Sequence, residues 1–248
     1  IVGAFLFSRG FIKTGLGKRI AYNLIAAFGS SSLRLSYALA LSDLILAPAT
    51  PSNTARVGGV IMPITTSLAK AFGSEPQDGP RKIGSFLMQS IYQVNTITSA
   101  MFQTSMAGNT LVAALALQSF GIGITWGDWA MAAIVPGIIA LIIMPYFIYK
   151  VYPPEIKDAR EAQQMIREEL KGLGKMSFQE WVMLGVFVLA LVLWATSQFT
   201  KIDATTVAFL GISILLATGV LIWDDVKSEK GAWDTLVWMG TLMGFAGF

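Results

Sequence analysis

The chain has 248 residues, 54% of them hydrophobic and 13% charged, with a formal net charge of +3. Soluble domains carry about 25% charged residues, so this balance points away from a soluble globular protein, and so small a basic excess gives no reason to expect a nucleic-acid partner. There is no Cys and no His, which excludes disulfides, thiol nucleophiles and His-based acid–base chemistry and argues against a transition-metal site.

Seven Trp, 15 Phe and 24 Gly fit an all-α polytopic membrane protein, where Gly is common and Trp gathers near interfaces. The chain opens and closes inside apolar sequence and shows no signal-peptide pattern, which reads as an internal piece of a larger protein. Residues 1–11 read as the tail of an apolar helix carrying Arg9. A basic, Gly-containing connector (13–19) and a short helix near an interface (20–28) complete a segment 1–32.

Residues 33–47 form a helical arm of about 22 Å at 1.5 Å per residue, too short for a hydrocarbon core of about 30 Å. The octet Ala47-Pro48-Ala49-Thr50-Pro51-Ser52-Asn53-Thr54 ends it, because the residue before each Pro is pushed out of the helical region. A second arm resumes over 55–72. Non-helical backbone at membrane depth is tolerated only where protein buries it or it lines a wet cavity. The pattern therefore predicts a re-entrant hairpin over 33–72, with a single broken spanning helix as the alternative.

A polar loop (73–82) leads into an apolar arm, and residues 95–110 then carry eight hydroxyl or amide side chains besides Gln103. Residues 83–120 are read as a second interrupted helix, whose polar break has no place facing lipid. With the hairpin it makes one unit, 33–122. Residues 129–149 read as a conventional span holding Pro136 and Pro145. Residues 151–175 read as a charged, solvated connector, helical from Pro154 and without a clean apolar face. Two further spans (181–198 and 204–223), a charged loop and a new helix from Trp233 follow, so that 123–232 make a second unit and 233–248 start another.

Lys and Arg number three in 13–19, two in 73–82, six in 150–175 and two in 224–232, against none in 121–128 and one in 198–203. The positive-inside bias puts the richer loops on the cytoplasmic side. That requires the 33–72 hairpin to return to its starting side and 83–120 to cross once.

Ser52, Asn53 and Thr54 precede the second hairpin arm. Such residues are ordinary helix caps. At a break in the membrane their hydroxyls, amide and free backbone N–H groups can also receive a carboxylate, and the oxygens of Ser52 and Asn53 can face Na⁺. Asp43 lies inside an apolar arm, where a bare charge needs a partner or a role. Arg56 is either that partner or a guide for an anionic solute. Gly58, Gly59 and Gly108 are read as sites of close backbone approach.

Leu44-Ile45-Leu46-Ala47-Pro48-Ala49-Thr50-Pro51-Ser52-Asn53-Thr54-Ala55-Arg56-Val57-Gly58-Gly59-Val60 resembles the divalent anion/sodium symporter family, closest to the branch of citrate/succinate antiporters and 2-oxoglutarate/malate translocators. Arg9-Gly10-Phe11-Ile12-Lys13-Thr14-Gly15-Leu16-Gly17-Lys18-Arg19-Ile20 resembles the same branch. The resemblance implies an inverted-repeat, elevator-type transporter and a homodimer. It implies that the tip residues Ser52, Asn53 and Thr54 bind a substrate carboxylate. It also implies a Na⁺ site bordered by Ser52 and Asn53 and completed by unwound backbone near 105–109, with Gly108 the preferred residue. The family's second Ser-Asn-Thr signature is absent from these 248 residues. Residues 2–11 echo 238–248 in Gly and aromatic pattern, which places the second repeat from about Trp233. A bacterial inner membrane or a plastid inner envelope is implied as the location.

The leading expectation is thus a secondary carrier of succinate, malate, 2-oxoglutarate or citrate, working by exchange, without a cofactor other than Na⁺ as a coupling ion. Na⁺-coupled symport of dicarboxylate or sulfate is the alternative. An ion channel fits less well, because two dissimilar broken segments do not make a ring of equivalent elements. An enzyme lacks a positioned acid–base group beyond Asp43.

Overall fold

The computed structural model describes residues 2–246. Helix α1 (Val2–Thr14) ends at Gly15, whose left-handed backbone (φ 75°) turns the chain into α2 (Leu16–Phe28). Ser31 caps α3 (Ser32–Leu46), which runs into a 3₁₀ turn, Ala47–Ala49, around Pro48. Ser52 caps α4 (Asn53–Arg56), which passes through a π-helical turn, Val57–Ile61, into α5 (Met62–Ala71). Helices α6 (Gly84–Met101) and α7 (Ala107–Phe120) are separated by non-helical residues 102–106. There follow α8 (Trp126–Val151), α9 (Arg160–Gly172), α10 (Phe178–Ala195), α11 (Ser197–Thr200), α12 (Ala204–Ala217), α13 (Trp223–Ser228) and α14 (Lys230–Ala246). The protein is an all-α polytopic membrane protein. Among the described residues α8 and α10 are long and apolar enough to cross a bilayer.

Polar contacts sort the loops onto two ends. At one end Lys13 Nζ meets Asp225 Oδ2 at 2.5 Å, and Arg19 pairs with Glu180 and donates to the carbonyls of Gly174 and Leu173. An extended stretch after α8 ties in two more loops at this end. Ser32 N donates to Lys157 O and Ala159 N to Ser30 O, while Glu155 N and Ile156 N donate to the carbonyls of Arg81 and Lys82. The opposite end gathers the base-poor loops, where Gln198 Nε2 donates to Asp128 Oδ1 at 2.7 Å. The base-rich loops are thus grouped together, as the charge count requires. Helix α3 leaves the basic end and α5 returns to it.

The return is a true reversal of the chain. A straight helix would put residues 43 and 56 about 20 Å apart, yet Arg56 Nε lies 2.8 Å from Asp43 Oδ1. Leu46 and Val60, one from each arm, also lie side by side against Gly17 of α2.

Two packing groups result. Helix α6 packs on α8, α3 and α5, and α1 packs on α12, α14 and α10. An aromatic seam joins the groups. Phe102, from the α6–α7 break, stacks on Trp126 (5.6 Å), Trp126 on Trp194 (6.1 Å), and Trp194 meets Phe7 edge-on (6.2 Å).

Several expectations change. The 151–175 connector is not simply solvated, since α9 buries Ala162 and Ile166 against α2 and starts at Arg160 rather than Pro154. Small Ala side chains concealed that narrow stripe. The span expected over 204–223 is helical only to Ala217, because Thr218 and Gly219 (φ 72°) turn the chain. Helix α14 starts at Lys230, ahead of Trp233, and packs on α1; residues 247–248 of the sequence echo lie outside the described residues.

These 248 residues contain no cysteine, so single cysteines placed among them report sidedness. Cysteines replacing the exposed Gln77 and Lys157 should react with an impermeant maleimide from one side of the membrane, and one replacing the exposed Ile122 from the other. Opposite sidedness of 77 and 157 would contradict the grouping of loops.

Candidate functional site at the hairpin tip and the helix break

The tip and the break meet around one buried guanidinium. Arginine has five N–H donors, and each of those on Arg56 has an acceptor. Nε bonds Asp43 Oδ1 at 2.8 Å, and Nη1 bonds the carbonyls of Thr50 (3.0 Å) and Ser105 (3.2 Å). Nη2 bonds the hydroxyls of Thr98 (3.2 Å) and Ser99 (3.1 Å). Asp43 in turn accepts from Thr98 Oγ1 and from Asn95 Nδ2 (3.4 Å). The side chains of Arg56 and Asp43 are 0% and 1% exposed. Of the two roles open to Arg56, the structure selects the partner of Asp43. With no donor left over and no exposed face, it is not a guide for solute.

The break satisfies its own backbone. Asn109 Nδ2 donates to Ser99 O (2.7 Å) and Phe102 O (2.9 Å), and Ser105 Oγ reaches the same two carbonyls. Thr104 Oγ1 donates to Pro48 O of the tip and accepts from Trp126 Nε1 at 2.9 Å. Trp129 Nε1 takes Ala100 O. Unpaired groups would each cost about 1–3 kcal/mol, so the run of hydroxyls and amides over 95–110 is what permits a helix to open here.

The triplet sits beside this hub. Ser52 Oγ accepts from Ala55 N (3.1 Å), so Ser52 is the helix cap. Asn53 Oδ1 accepts from Thr54 N (2.8 Å) and more weakly from Thr54 Oγ1 (3.4 Å). The Asn53 amide nitrogen makes no hydrogen bond among the described residues. Ser52 and Asn53 are half-buried and Thr54 is exposed. The unwound residues are 102–106, displaced from the expected 105–109. Gly108 therefore lies in the first turn of α7, where a helical carbonyl is committed to the residue four further on. The structure joins the tip to the break through Thr50, Arg56 and Ser105, and Gly108 has no part in that junction.

The expected close approaches at glycine are also different. A Cβ at Gly58 would meet open space, one at Gly59 the Ile12 side chain at 3.5 Å, and one at Gly108 only the Met106 side chain. Close contact occurs instead at Gly137, where a Cβ would lie 2.6 Å from Met101. A cavity of about 450 Å³ opens between α7 and the start of α12, not at the triplet. Sequence reasoning named Asp43 and Arg56 but missed Thr98, Ser99, Ser105 and Asn109 individually. Their signal was present as the polar run in an apolar context.

The two helix breaks are thus lined by hydroxyls, amides and one neutralised ion pair. Residues 1–248 match the family described as the sodium:sulfate symporter transmembrane region, and the chain belongs to it. YflS of Bacillus subtilis (strain 168), provisionally named a malate transporter, is 54% identical over 249 residues, which cover 100% of this chain and 52% of that protein. Inner membrane protein YbhI of Escherichia coli (strain K12) is 47% identical over 99% of this chain and 51% of its own length. Dicarboxylate transporter 1, chloroplastic, of Spinacia oleracea is 47% identical over 99% of this chain and 43% of its own. The chain spans about half the length of these curated relatives.

Asn109 gives the sharpest local test. Asn109→Ala strips an amide from two buried carbonyls and should lower stability by about 2 kcal/mol, read as a fall in thermal midpoint in detergent. An unchanged midpoint would contradict the bonding described for the break.

Proposed function

We propose that this chain forms the hairpin-bearing part of a secondary carrier that exchanges small di- and tricarboxylates such as succinate, malate, 2-oxoglutarate or citrate. Ser52, Asn53 and Thr54 receive a substrate carboxylate through the Asn53 amide nitrogen, the hydroxyls and the N-terminus of the second arm. Hydrogen bonds to a charged group are worth about 1.5–3 kcal/mol each, so two or three of them give selectivity without a catalytic base. Relatives named as dicarboxylate transporters support the substrate class.

The observation that carries exchange is the occupancy of the tip–break junction. Carbonyls of Thr50 and Ser105, hydroxyls of Thr98 and Ser99 and the carboxylate of Asp43 surround one centre. Such an oxygen cluster suits a cation, and it already holds a tethered guanidinium. That guanidinium stands where the oxygens would otherwise coordinate a Na⁺. With no coupling cation held at the junction, the return step requires a second anion.

The packing groups supply the moving parts. Helices α3–α8 travel together against α1, α10, α12 and α14, an elevator in which the second group also forms the homodimer. Because α8 packs on α6 and α3, it belongs with the hairpin rather than with residues 152–232. A bacterial inner membrane is the proposed location, with the plastid inner envelope as the other. Na⁺-coupled symport of dicarboxylate or sulfate is the second reading, favoured by the matched family's description. It would use Ser52, Asn53 and the backbone at Gly108.

The full carrier in liposomes separates the two. Uptake of labelled dicarboxylate should require internal dicarboxylate and survive replacement of Na⁺ by K⁺. Asn53→Ala should raise KM roughly tenfold, the equivalent of about 1.4 kcal/mol, while the folded protein persists. Strict Na⁺ dependence without stimulation by internal anion would move the protein to symport, and unchanged KM in Asn53→Ala would remove the triplet from the binding site.

A further inference from the structure

A groove on the outside of the hairpin has the dimensions and polarity of a single lipid. Its mouth is a cavity of about 440 Å³ at the basic end, lined by Phe28, Arg34, Tyr37 and Leu41 among others. Tyr37 and Leu41 also line a second cavity of about 130 Å³, walled by Leu44, Ile138, Leu141 and Ile142. The two adjoin at these shared residues, the first against the end of α2 and the second between α3 and α8. Tyr37 Oη donates to Ile142 O at 2.5 Å and forms the waist between them. From Arg34 to Leu44 the groove follows ten residues of helix, about 15 Å. That is one leaflet of a hydrocarbon core about 30 Å thick.

The polarity changes along this length as a lipid's does. The deep part is apolar on every side. The mouth carries Arg34, which is exposed and makes no salt bridge among the described residues. Its guanidinium makes one hydrogen bond there, Nη1 to Ser30 Oγ at 3.2 Å. Helix stability does not explain a cation at this point, since Arg34 lies in the first turn of α3, where the helix dipole favours acids. A negative group at the mouth would meet both the guanidinium and the base-rich end of the molecule. Basic pockets between membrane helices on the cytoplasmic side bind anionic headgroups.

We propose that this groove binds one anionic phospholipid, with its phosphate on Arg34 and one acyl chain between α3 and α8. A docked helix is a poorer fit, because a helix with its side chains is 10–12 Å wide and the deep cavity holds only about 130 Å³. The lipid would lie along the first arm of the hairpin, so lipid charge would act directly on the element that bears the triplet.

Native mass spectrometry of the full-length carrier tests this, with phosphatidylglycerol and phosphatidylcholine of identical acyl chains as probes. Wild type should retain phosphatidylglycerol roughly tenfold better than phosphatidylcholine. Arg34→Gln should abolish the preference while leaving the thermal midpoint unchanged. Leu41→Trp, which fills the groove from its partly exposed wall, should remove the tightly held lipid of either kind. Equal retention of both lipids by wild type would overturn the proposal. So would full phosphatidylglycerol retention by Arg34→Gln or by Leu41→Trp. A Leu41→Trp variant that loses stability with lipid retention unaltered would show that another part of the carrier fills the groove, which also overturns it.

Discussion

Burying a guanidinium in a membrane protein is costly unless its donors are paired, and this structure meets that demand in full at Arg56. Five acceptors must converge on one point. They come from the first hairpin arm, the tip, the C-terminal turns of α6 and the break after it. The tip and the break are non-helical where they present the Thr50 and Ser105 carbonyls to the guanidinium. The tip must expose the Thr50 carbonyl, and α6 must stop at Met101 so that the Ser105 carbonyl can turn inward. The ion pair with Asp43 therefore does more than cancel a charge. It fixes where two interrupted helices are interrupted and holds the two interruptions together.

The same demand shapes what the site can do. Arg56 is consumed by the protein, so the proposed recognition of substrate rests on the groups left over at the tip, chiefly the Asn53 amide nitrogen and the first turn of the second arm. The aromatic seam from Phe102 through Trp126 and Trp194 to Phe7 joins the break to the other packing group. Any relative motion of the two groups has to shear this stack. Stacked and edge-on aromatic contacts are worth about 0.5–1.5 kcal/mol each beyond their buried area, small enough to be exchanged for others during the proposed transport step.

Much of the fold was legible in the sequence because each signal had one physical cause. Pro48 and Pro51 end an arm too short to span, and the uneven Lys and Arg counts sorted the loops onto two ends. Other features left weaker traces. The contact of α9 with α2 rests on Ala162 and Ile166 with Gln163 Nε2 donating to Ala26 O, and a stripe that narrow is lost among ten charges. The strap after α8 is held by backbone bonds to 30–32 and 81–82, which no side-chain pattern announces. The hub was half legible. An acid and a base thirteen residues apart in apolar sequence suggested a pair, but two of the five acceptors are backbone carbonyls, and those from 98–105 lie over forty residues away. Long-range backbone acceptors leave no residue-type signature, and the break was expected three residues late for the same reason.

The central claim is that Arg56 and Asp43 form one coupled unit, and a double-mutant cycle on thermal stability in the full carrier tests it most directly. Breaking a buried pair from one side costs about 3–5 kcal/mol, because it strands a charge, whereas replacing both partners by apolar groups of similar volume is often far less costly. Asp43→Leu and Arg56→Met should each lower the thermal midpoint sharply, and the double variant should recover a large part of the loss. If the double variant instead lost the sum of the two single effects, the residues would be acting independently, and the account of a hub joining tip and break would be contradicted.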